Sequence, residues 1–139
     1  MFKSFNDFIP EIQSVITDHH LIIENIDNTI YLIKHHKFCI KIYDKAGHGY
    51  LFNYAILKKP NKDYYSKEEY VDSWFYQYIK KEFYNENYHR SIEEYNKELI
   101  NFKNSFEDVV LYLKNTDDSF WLGIQELFSD QIERLKKNN

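Results

Sequence analysis

Three residues of this chain have side-chain types suited to acid–base chemistry and lie close together in sequence. They are Asp44, His48 and Tyr50, and the segment KAGHG that links them is typical of a turn because it holds two of the three glycines. A hydrolytic site needs a nucleophile, a general base and an oxyanion donor in one place. Because only separate components of such a site occur here, we predict no catalytic residue. A small hydrolase that uses the Asp44–His48 loop is kept as an alternative.

Four histidines form two adjacent pairs, His19-His20 and His35-His36, at the open end of a predicted β-hairpin. With a two-residue hairpin loop, His20 would lie opposite His35 and His19 opposite His36, and cross-strand histidines about 5 Å apart can share a metal. The two cross-strand couples would lie on different faces of the sheet, so the four side chains cannot form one site. We therefore predict no metal site and no cofactor, and we expect solvated histidines at the strand ends.

The single cysteine, Cys39, lies between two apolar residues of a predicted strand. We expect it to be a small buried hydrophobic side chain, since no neighbouring cation or helix N-terminus is evident that would activate a thiolate. A lone cysteine excludes an internal disulfide and is typical of a reducing compartment. Because the first residues do not resemble a signal peptide and no apolar run is long enough to cross a bilayer, we expect a cytoplasmic protein that does not bind membranes.

The elements that would position these residues indicate an α+β fold that begins with a helix and continues with strands. Apolar residues at helical spacing predict a helix over about 5–18. The apolar runs of LIIENIDNTIYLIK flank a polar pair that favours a two-residue hairpin loop, which places Ile22 opposite Ile33. Strands at 38–44 and 50–58 complete a four-stranded antiparallel meander. We expect helices on one face of this sheet and a partly solvated second face.

The second half of the chain carries helix start signals. Capping-box patterns begin at Ser66, Ser91 and Ser105, and Asp117 with its two successors can cap a last helix. The helices expected from these signals cover about 67–85, 92–104, 106–114 and 119–136. The predicted fold is therefore α+β, with an N-terminal helix, a four-stranded antiparallel meander and three to four helices packed on one face. It forms a single domain over residues 1–139, with a sheet portion at about 20–58 and a helical portion at about 66–137.

Residues 64–88, YYSKEEYVDSWFYQYIKKEFYNENY, contain ten aromatic residues in twenty-five positions. Aromatic residues at this density form a core, an adhesive surface, or both. On a helix over 67–85, one arc would face the sheet, and it contains Val71, Trp74, Phe75, Tyr78 and Ile79. The opposite side and its flanks form the predicted partner-binding site, which consists of Asp72, Tyr76, Lys80, Tyr84 and Glu86. The alternative is that a second helix covers these tyrosines and makes them a second layer of the core.

The charge of the chain is unevenly distributed. Residues 1–62 carry a net charge of +2 and residues 63–139 a net charge of −6, which give the total of −4. An acidic half argues against a nucleic-acid ligand, since binding phosphates needs a basic surface. It is compatible with a basic protein partner, whose approach the field would accelerate. A solvated acidic surface that only maintains solubility is the alternative.

The layout of the chain resembles that of small immunity proteins of bacterial toxin systems, including those of contact-dependent growth inhibition. The resemblance rests on the meander LIIENIDNTIYLIKHHKFCIKIYD followed by acidic, tyrosine-rich helices such as SKEEYVDSWFYQYIKKEFYNENY, and it transfers no functional residue. It implies a tight one-to-one inhibitor that covers, or lies beside, the active site of a toxin, often a nuclease. Such nucleases are typically basic where they hold nucleic acid, which fits an acidic inhibitor.

The leading interpretation is therefore a non-catalytic, protein-binding inhibitor that is a monomer or half of a 1:1 heterodimer. Its partner would be a cognate toxin or another basic protein. A small-molecule sensor is an alternative, with Trp74 and Tyr78 lining a cavity. An oligomeric subunit that associates through Tyr76 and Tyr84 is another.

Overall fold

The computed structural model describes residues 1–27, 29–45, 50–58, 70–72, 91–123 and 126. The predicted α+β layout is confirmed: an N-terminal helical segment precedes an antiparallel sheet, and helices follow it. The assignment of residues 1–139 to one domain stays a prediction. The described elements are α1 (Phe5–Phe8), a 3₁₀ helix (Ile9–Ile12), α2 (Gln13–Asp18), β1 (Ile22–Asn25), β2 (Ile30–Lys34), β3 (Cys39–Lys45), β4 (Leu51–Leu57), β5 (Tyr70–Asp72), α3 (Ile92–Lys114) and α4 (118–123).

The first helix spans the predicted residues but is divided into three short pieces. Pro10 lies in the first turn of the 3₁₀ helix that separates α1 from α2. Proline has no backbone N–H to donate, so the chain changes its hydrogen-bonding pattern at this point instead of continuing one α-helix.

The sheet contains the predicted meander and one further strand. Its order is β1-β2-β3-β4-β5, and every neighbouring pair is antiparallel. In β5, Tyr70 pairs with Leu57 and Asp72 pairs with Ala55. The prediction of a helix over 67–85 is therefore wrong at residues 70–72, because backbone pairing with the edge of β4 overrides the local helical pattern. The rest of that predicted helix lies outside the described residues.

The hairpin between β1 and β2 differs from the prediction by one residue. Ile33 lies opposite Ile23 and not opposite Ile22. The Asp27 carboxylate organises a longer turn, since it accepts hydrogen bonds from the N–H groups of Thr29 (2.7 Å) and Ile30 (3.0 Å). These bonds lower the pKa of Asp27. A shift of one residue exchanges the two faces of a strand, and Ile22 is accordingly 63% exposed.

The main core lies between one face of the sheet and the helices. Phe102 of α3 is at its centre, with ring centroids 5.4 Å from Phe52, 5.2 Å from Tyr54 and 5.1 Å from Phe106. Helix α3 buries a stripe at intervals of three and four residues, namely Tyr95, Leu99, Phe102, Phe106, Val109, Val110 and Leu113. Trp121 of α4 is buried there too.

The second face of the sheet is partly solvated, as expected, because Ile22 of β1 lies on it and is 63% exposed, but the centre of this face is buried. Its buried residues are Leu32, Cys39, Ala55 and Leu57, and Lys41 is 1% exposed among them. The Lys41 ammonium lies 5.5 Å from the centre of the Tyr43 ring. Strands that carry apolar residues on both faces are typical of sheets covered on both sides. The sequences of β2 and β4 have this pattern.

Helix α3 is continuous over 23 residues, and the prediction of separate helices at 92–104 and 106–114 is wrong. Ser91 caps it, since its Oγ accepts a hydrogen bond from the N–H of Glu94. Ser105 does not cap a helix, because its hydroxyl donates to the carbonyl oxygens of Asn101 and Phe102 in the preceding turn. Asp117 caps α4 by accepting from the N–H groups of Ser119 and Phe120.

The Asp44 carboxylate joins three elements in the core. It is 3% exposed, and it accepts hydrogen bonds from the N–H of Phe5 (2.8 Å) and from the hydroxyl of Tyr95. Burial and the interaction with Asp44 raise the pKa of Tyr95 well above its ordinary value. One residue further along α3, the Asn96 side chain accepts from the N–H of Phe2 (2.6 Å) and donates to its carbonyl (3.0 Å). The N-terminal segment is thus attached to both β3 and α3.

We expect Ser91→Ala to lower the free energy of unfolding by about 1 kcal/mol, because the first turn of α3 loses its cap. Ser105→Ala is the matched control and should change this free energy by less than about 0.5 kcal/mol, since its hydroxyl only duplicates bonds within the helix. Urea denaturation measures both. An equal or larger loss in Ser105→Ala would contradict a continuous helix.

We expect Tyr95→Phe to lower the free energy of unfolding by about 1–3 kcal/mol, because the buried Asp44 carboxylate loses a donor. Tyr50→Phe is the control. The Tyr50 ring is 6.3 Å from that of Tyr95, and its hydroxyl has no hydrogen-bond partner among the described residues. Thermal and urea unfolding of the two variants should differ clearly; equal stability would show that the Tyr95–Asp44 bond contributes little.

Candidate functional site

A cleft of about 390 Å³ opens at the end of the sheet where β2 turns into β3 and where β4 ends. The junction between α3 and α4 closes its other side. The lining residues in the described part of the chain are His36, Lys37, Lys58, Thr116, Asp117, Asp118 and Trp121. The volume falls within the range of small-molecule sites.

The turn between β2 and β3 holds the first wall of the cleft. The N–H of Lys37 donates to Nδ1 of His35 (3.1 Å), so Nδ1 carries no proton and Nε2 carries it in the neutral ring. The His35 ring stacks on Phe38 with centroids 4.8 Å apart, and its centroid lies 4.2 Å from that of His36. The turn is therefore held by ring packing and by one imidazole acceptor.

Lys37 connects this turn to α3. Its ammonium donates to the carbonyl oxygen of Lys114, 2.9 Å away, in the last turn of the helix. A cation at this position satisfies a terminal carbonyl and interacts favourably with the negative end of the helix dipole. The sheet side and the helix side of the cleft are thus joined by a direct contact.

The two walls also face each other through a long ion pair. The Lys58 ammonium lies 3.9 Å from the Asp118 carboxylate, and the Asp118 side chain is 92% exposed. An ion pair of this length and exposure contributes little to stability. Asp117 is held more firmly, because it accepts the hydrogen bonds from Ser119 and Phe120 that cap α4. The same hydrogen bonds lower the pKa of its carboxyl group.

The histidines do not pair across strands as predicted. His20 has a positive φ of 55° and lies in the turn before β1, so neither it nor His19 belongs to the ladder. His19 instead contacts α3, with Nε2 3.4 Å from the Glu107 carboxylate and Nδ1 3.2 Å from the Lys114 ammonium. Within the described ranges, no group of three or more His, Cys, Asp or Glu side chains is arranged to hold a metal ion.

Three histidines and two lysines nevertheless converge beside the cleft. Burial lowers the pKa of His35, and the nearby charges of His36, Lys114, Lys37 and His19 lower it further. All of these groups disfavour a second positive charge in the same region. The cluster therefore favours the neutral form of His35.

Asp44, the first residue of the candidate acid–base loop, makes structural hydrogen bonds. Its carboxylate is enclosed by the N-terminal helix and α3, where it accepts structural hydrogen bonds from Phe5 and Tyr95. Tyr50 packs against the main core, and His48 lies outside the described residues. Cys39 is buried as expected, and burial raises the pKa of its thiol to about 12.

The predicted partner-binding residues are only partly within the described structure. Asp72 lies in β5 and not on a helix, so the helical face that was predicted to present it does not include it. Tyr76, Lys80, Tyr84 and Glu86 lie outside the described residues. Their role in binding stays a prediction.

The sequence analysis did not identify a surface of exposed aliphatic residues on α3 and α4. Ile100 and Leu111 of α3 are 40% and 42% exposed, and Leu122 of α4 is 60% exposed. An 11-residue separation is about three helical turns, so Ile100 and Leu111 lie on one stripe, with the exposed Glu107 and Asp108 between them. The spacing is readable in the sequence, but the helix break predicted near residue 105 concealed it.

We expect stability to fall as the pH decreases through the ordinary histidine range, about 7 to 5, partly because of His35. Its pKa is lower in the folded chain than in the unfolded chain, so the unfolded chain binds more protons in this window. The free energy of unfolding should therefore rise with pH, and His35→Phe should reduce the slope. His20→Asn, at an exposed position outside the cluster, is the control and should retain the slope. An unchanged slope in His35→Phe would contradict this assignment.

None of the helices in the described part of the chain combines the length and the apolar character that a membrane span requires. Comparison of the chain with protein-family models, with curated proteins and with solved structures found no match. The resemblance to immunity proteins accordingly remains one of overall layout, and function has to be inferred from the surfaces and the cleft described above.

Proposed function

We propose that this protein is a non-catalytic inhibitor that binds a basic protein, and that it is an immunity protein neutralising a cognate bacterial toxin. The observation that carries the proposal is the outward surface of α3 and α4, which combines acidic side chains with exposed aliphatic ones. A nuclease is the toxin class that best fits the charge. A cytoplasmic location belongs to the same proposal.

The charge of this surface supports a basic partner. Residues 91–123 carry seven acidic and three basic side chains, a net charge of −4, whereas residues 1–62 have a net charge of +2. The acidic character thus belongs to the helical side of the molecule. Complementary charge accelerates encounter and disfavours acidic competitors.

The exposed aliphatic residues supply the apolar part of an interface. Burying a leucine or isoleucine side chain contributes about 1.5–3 kcal/mol. Ile100, Leu111 and Leu122 would be anchors of this kind, and the surrounding acidic residues would form the polar rim. Isolated aliphatic residues are common on protein surfaces, so the argument rests on the stripe that Ile100 and Leu111 share and on the acidic residues between them.

Helix α3 is also well fixed, which favours binding. It is capped by Ser91, attached to β3 through Tyr95 and to the N-terminal segment through Asn96, and held at its last turn by Lys37. A surface that is already ordered loses little conformational entropy when it binds. The hydrolase alternative has less support, because the Asp44 carboxylate is occupied by structural donors.

The first test is capture of a partner by the tagged chain from its own host in low salt, with the bound polypeptides identified by mass spectrometry. We expect one basic protein at 1:1 stoichiometry, encoded by the gene immediately upstream, whose purified activity is inhibited by the chain. Absence of such a protein, or a partner whose activity is unaffected, would contradict the proposal.

The second test locates the interface. We expect Leu111→Asp and Ile100→Asp each to weaken binding of the captured partner by about 2 kcal/mol, roughly thirtyfold, because a buried charge replaces an anchor. Ile22→Asp is the control: Ile22 is also exposed, at 63%, but lies on β1, and its substitution should leave affinity unchanged. Titration calorimetry measures all three. Unchanged affinity in both α3 variants would move the interface to another surface.

A further inference from the structure

Strand β1 forms one edge of the sheet, and its backbone presents hydrogen-bonding groups to the outside. The N–H of Ile26 donates to the carbonyl of Ile30 at the start of β2 (2.9 Å), and successive residues of an antiparallel strand bond to the neighbouring strand alternately. The N–H and carbonyl groups of Ile23 and Asn25 therefore point away from β2. Within the described ranges no residue bonds to these groups, since β1 is the outermost strand on this side of the sheet.

The outer edge of β1 is short and has defined ends. Before the strand, the N–H of Leu21 donates to the carbonyl of Ile16 (2.9 Å), so this part of the chain is attached to α2. After the strand, the Asp27 carboxylate holds the turn to β2. An added strand can therefore pair only with residues 22–26, which offer it two donors and two acceptors.

The side chains of this segment are arranged symmetrically about Glu24. Ile22, Glu24 and Ile26 point to the second face of the sheet, because alternate residues of a strand share a face. Ile22 is 63% exposed, and Ile26 packs against the buried cluster on that face. The Glu24 carboxylate accepts a hydrogen bond from the Lys34 ammonium of β2. An isoleucine on each side of a paired charge is a pattern that matches a second copy of itself.

Two β1 strands can pair antiparallel about a two-fold axis that passes beside Glu24. Ile23 of each copy then exchanges both backbone hydrogen bonds with Asn25 of the other copy. On the second face, Ile22 of each copy lies opposite Ile26 of the other, at a distance where cross-strand aliphatic side chains pack. This register uses all the outward groups of the edge and covers its exposed isoleucine.

The other symmetric registers are less complete. Centring the pair on Ile23 would require the N–H of Leu21, which is already bonded to α2. Centring it on Asn25 would place Ile23 opposite Asp27, whose carboxylate is occupied by the turn. The hydrogen-bonding groups therefore select the register centred on Glu24.

We propose that two copies of this chain associate by antiparallel pairing of β1 with β1, centred on Glu24, so that their sheets become continuous. The charges are compatible with this contact, because the two Glu24 carboxylates bring their two Lys34 partners and the four charges sum to zero. Such a contact is the same on both copies and closes at a dimer. Five residues a side are far fewer than the roughly 20–30 of a stable interface, so the dimer is weak and depends on concentration.

The contact uses β1 and not the Ile100–Leu111 stripe, so it does not depend on the proposed inhibitor function. Each chain of the dimer would retain its own surface for a partner. The assembled protein would then hold two chains and two partners, and the expected 1:1 ratio would be unchanged.

Sedimentation velocity of the full chain, from about 10 µM to about 1 mM, measures the association. We expect a monomer at the low end and a reversible dimer at the high end. Asn25→Pro should weaken the dimer at least about tenfold, because it removes an outward donor but none of the bonds to β2. Asn25→Ala is the matched control: it also loses the side-chain bond to Tyr31 but keeps its N–H, and should dimerise normally. Ile100→Asp should dimerise normally too, which separates this contact from the proposed partner surface.

The proposal is overturned if the unchanged chain stays monomeric throughout this range. It is also overturned if Asn25→Pro and Asn25→Ala, both shown by thermal melts to be folded, dimerise equally.

Crosslinking tests the register independently of the proline variant. Directly opposed residues of a non-hydrogen-bonded pair have Cα atoms about 4.5 Å apart, which is within the range of a disulfide. Under mild oxidation Glu24→Cys should form a covalent dimer at least about tenfold faster than Asn25→Cys, because only residue 24 faces its own copy. The native Cys39 is buried and does not compete. Equal rates in the two variants would overturn the proposed pairing.

Discussion

The buried Asp44 carboxylate is the constraint on which the arrangement of this protein depends. Removing a carboxylate from water is costly unless hydrogen-bond donors replace the solvent. Here the donors come from Phe5 at the start of α1 and from Tyr95 in the second turn of α3. These two bonds can form together only when both helical segments lie on the same face of the sheet. They therefore help to fix the position of α3 and of its outward surface.

The four-stranded meander could be predicted from the sequence, but the register of its first hairpin and the fifth strand could not. The alternating apolar residues of β3 and β4 lie on the core face of the sheet, because that pattern depends only on burial. The hairpin register depends on how the Asp27 side chain bonds to the next backbone groups, and a choice between two- and three-residue loops cannot be made from residue types alone. Strand β5 forms because the edge of β4 is available, which is a tertiary effect absent from local propensity.

The candidate site was less predictable for a related reason. Ser105 looked like a cap, and the expected break separated Ile100 from Leu111 although both belong to one stripe of a continuous helix. The cleft combines residues 36–37, 58 and 116–121, which share no period or motif and meet only because the sheet end and the α3–α4 junction coincide. Of the residues singled out for acid–base chemistry, Asp44 proved to be structural.

The attachment of the N-terminal segment to α3 has a consequence for synthesis. Phe2 pairs with Asn96 and Phe5 shares Asp44 with Tyr95, across more than half of the chain. The covered face of the sheet therefore cannot be completed until residues 92–114 have left the ribosome. During translation the nascent meander exposes the apolar side chains that Phe102 and its neighbours later cover, so this interval is the one most open to aggregation or chaperone capture.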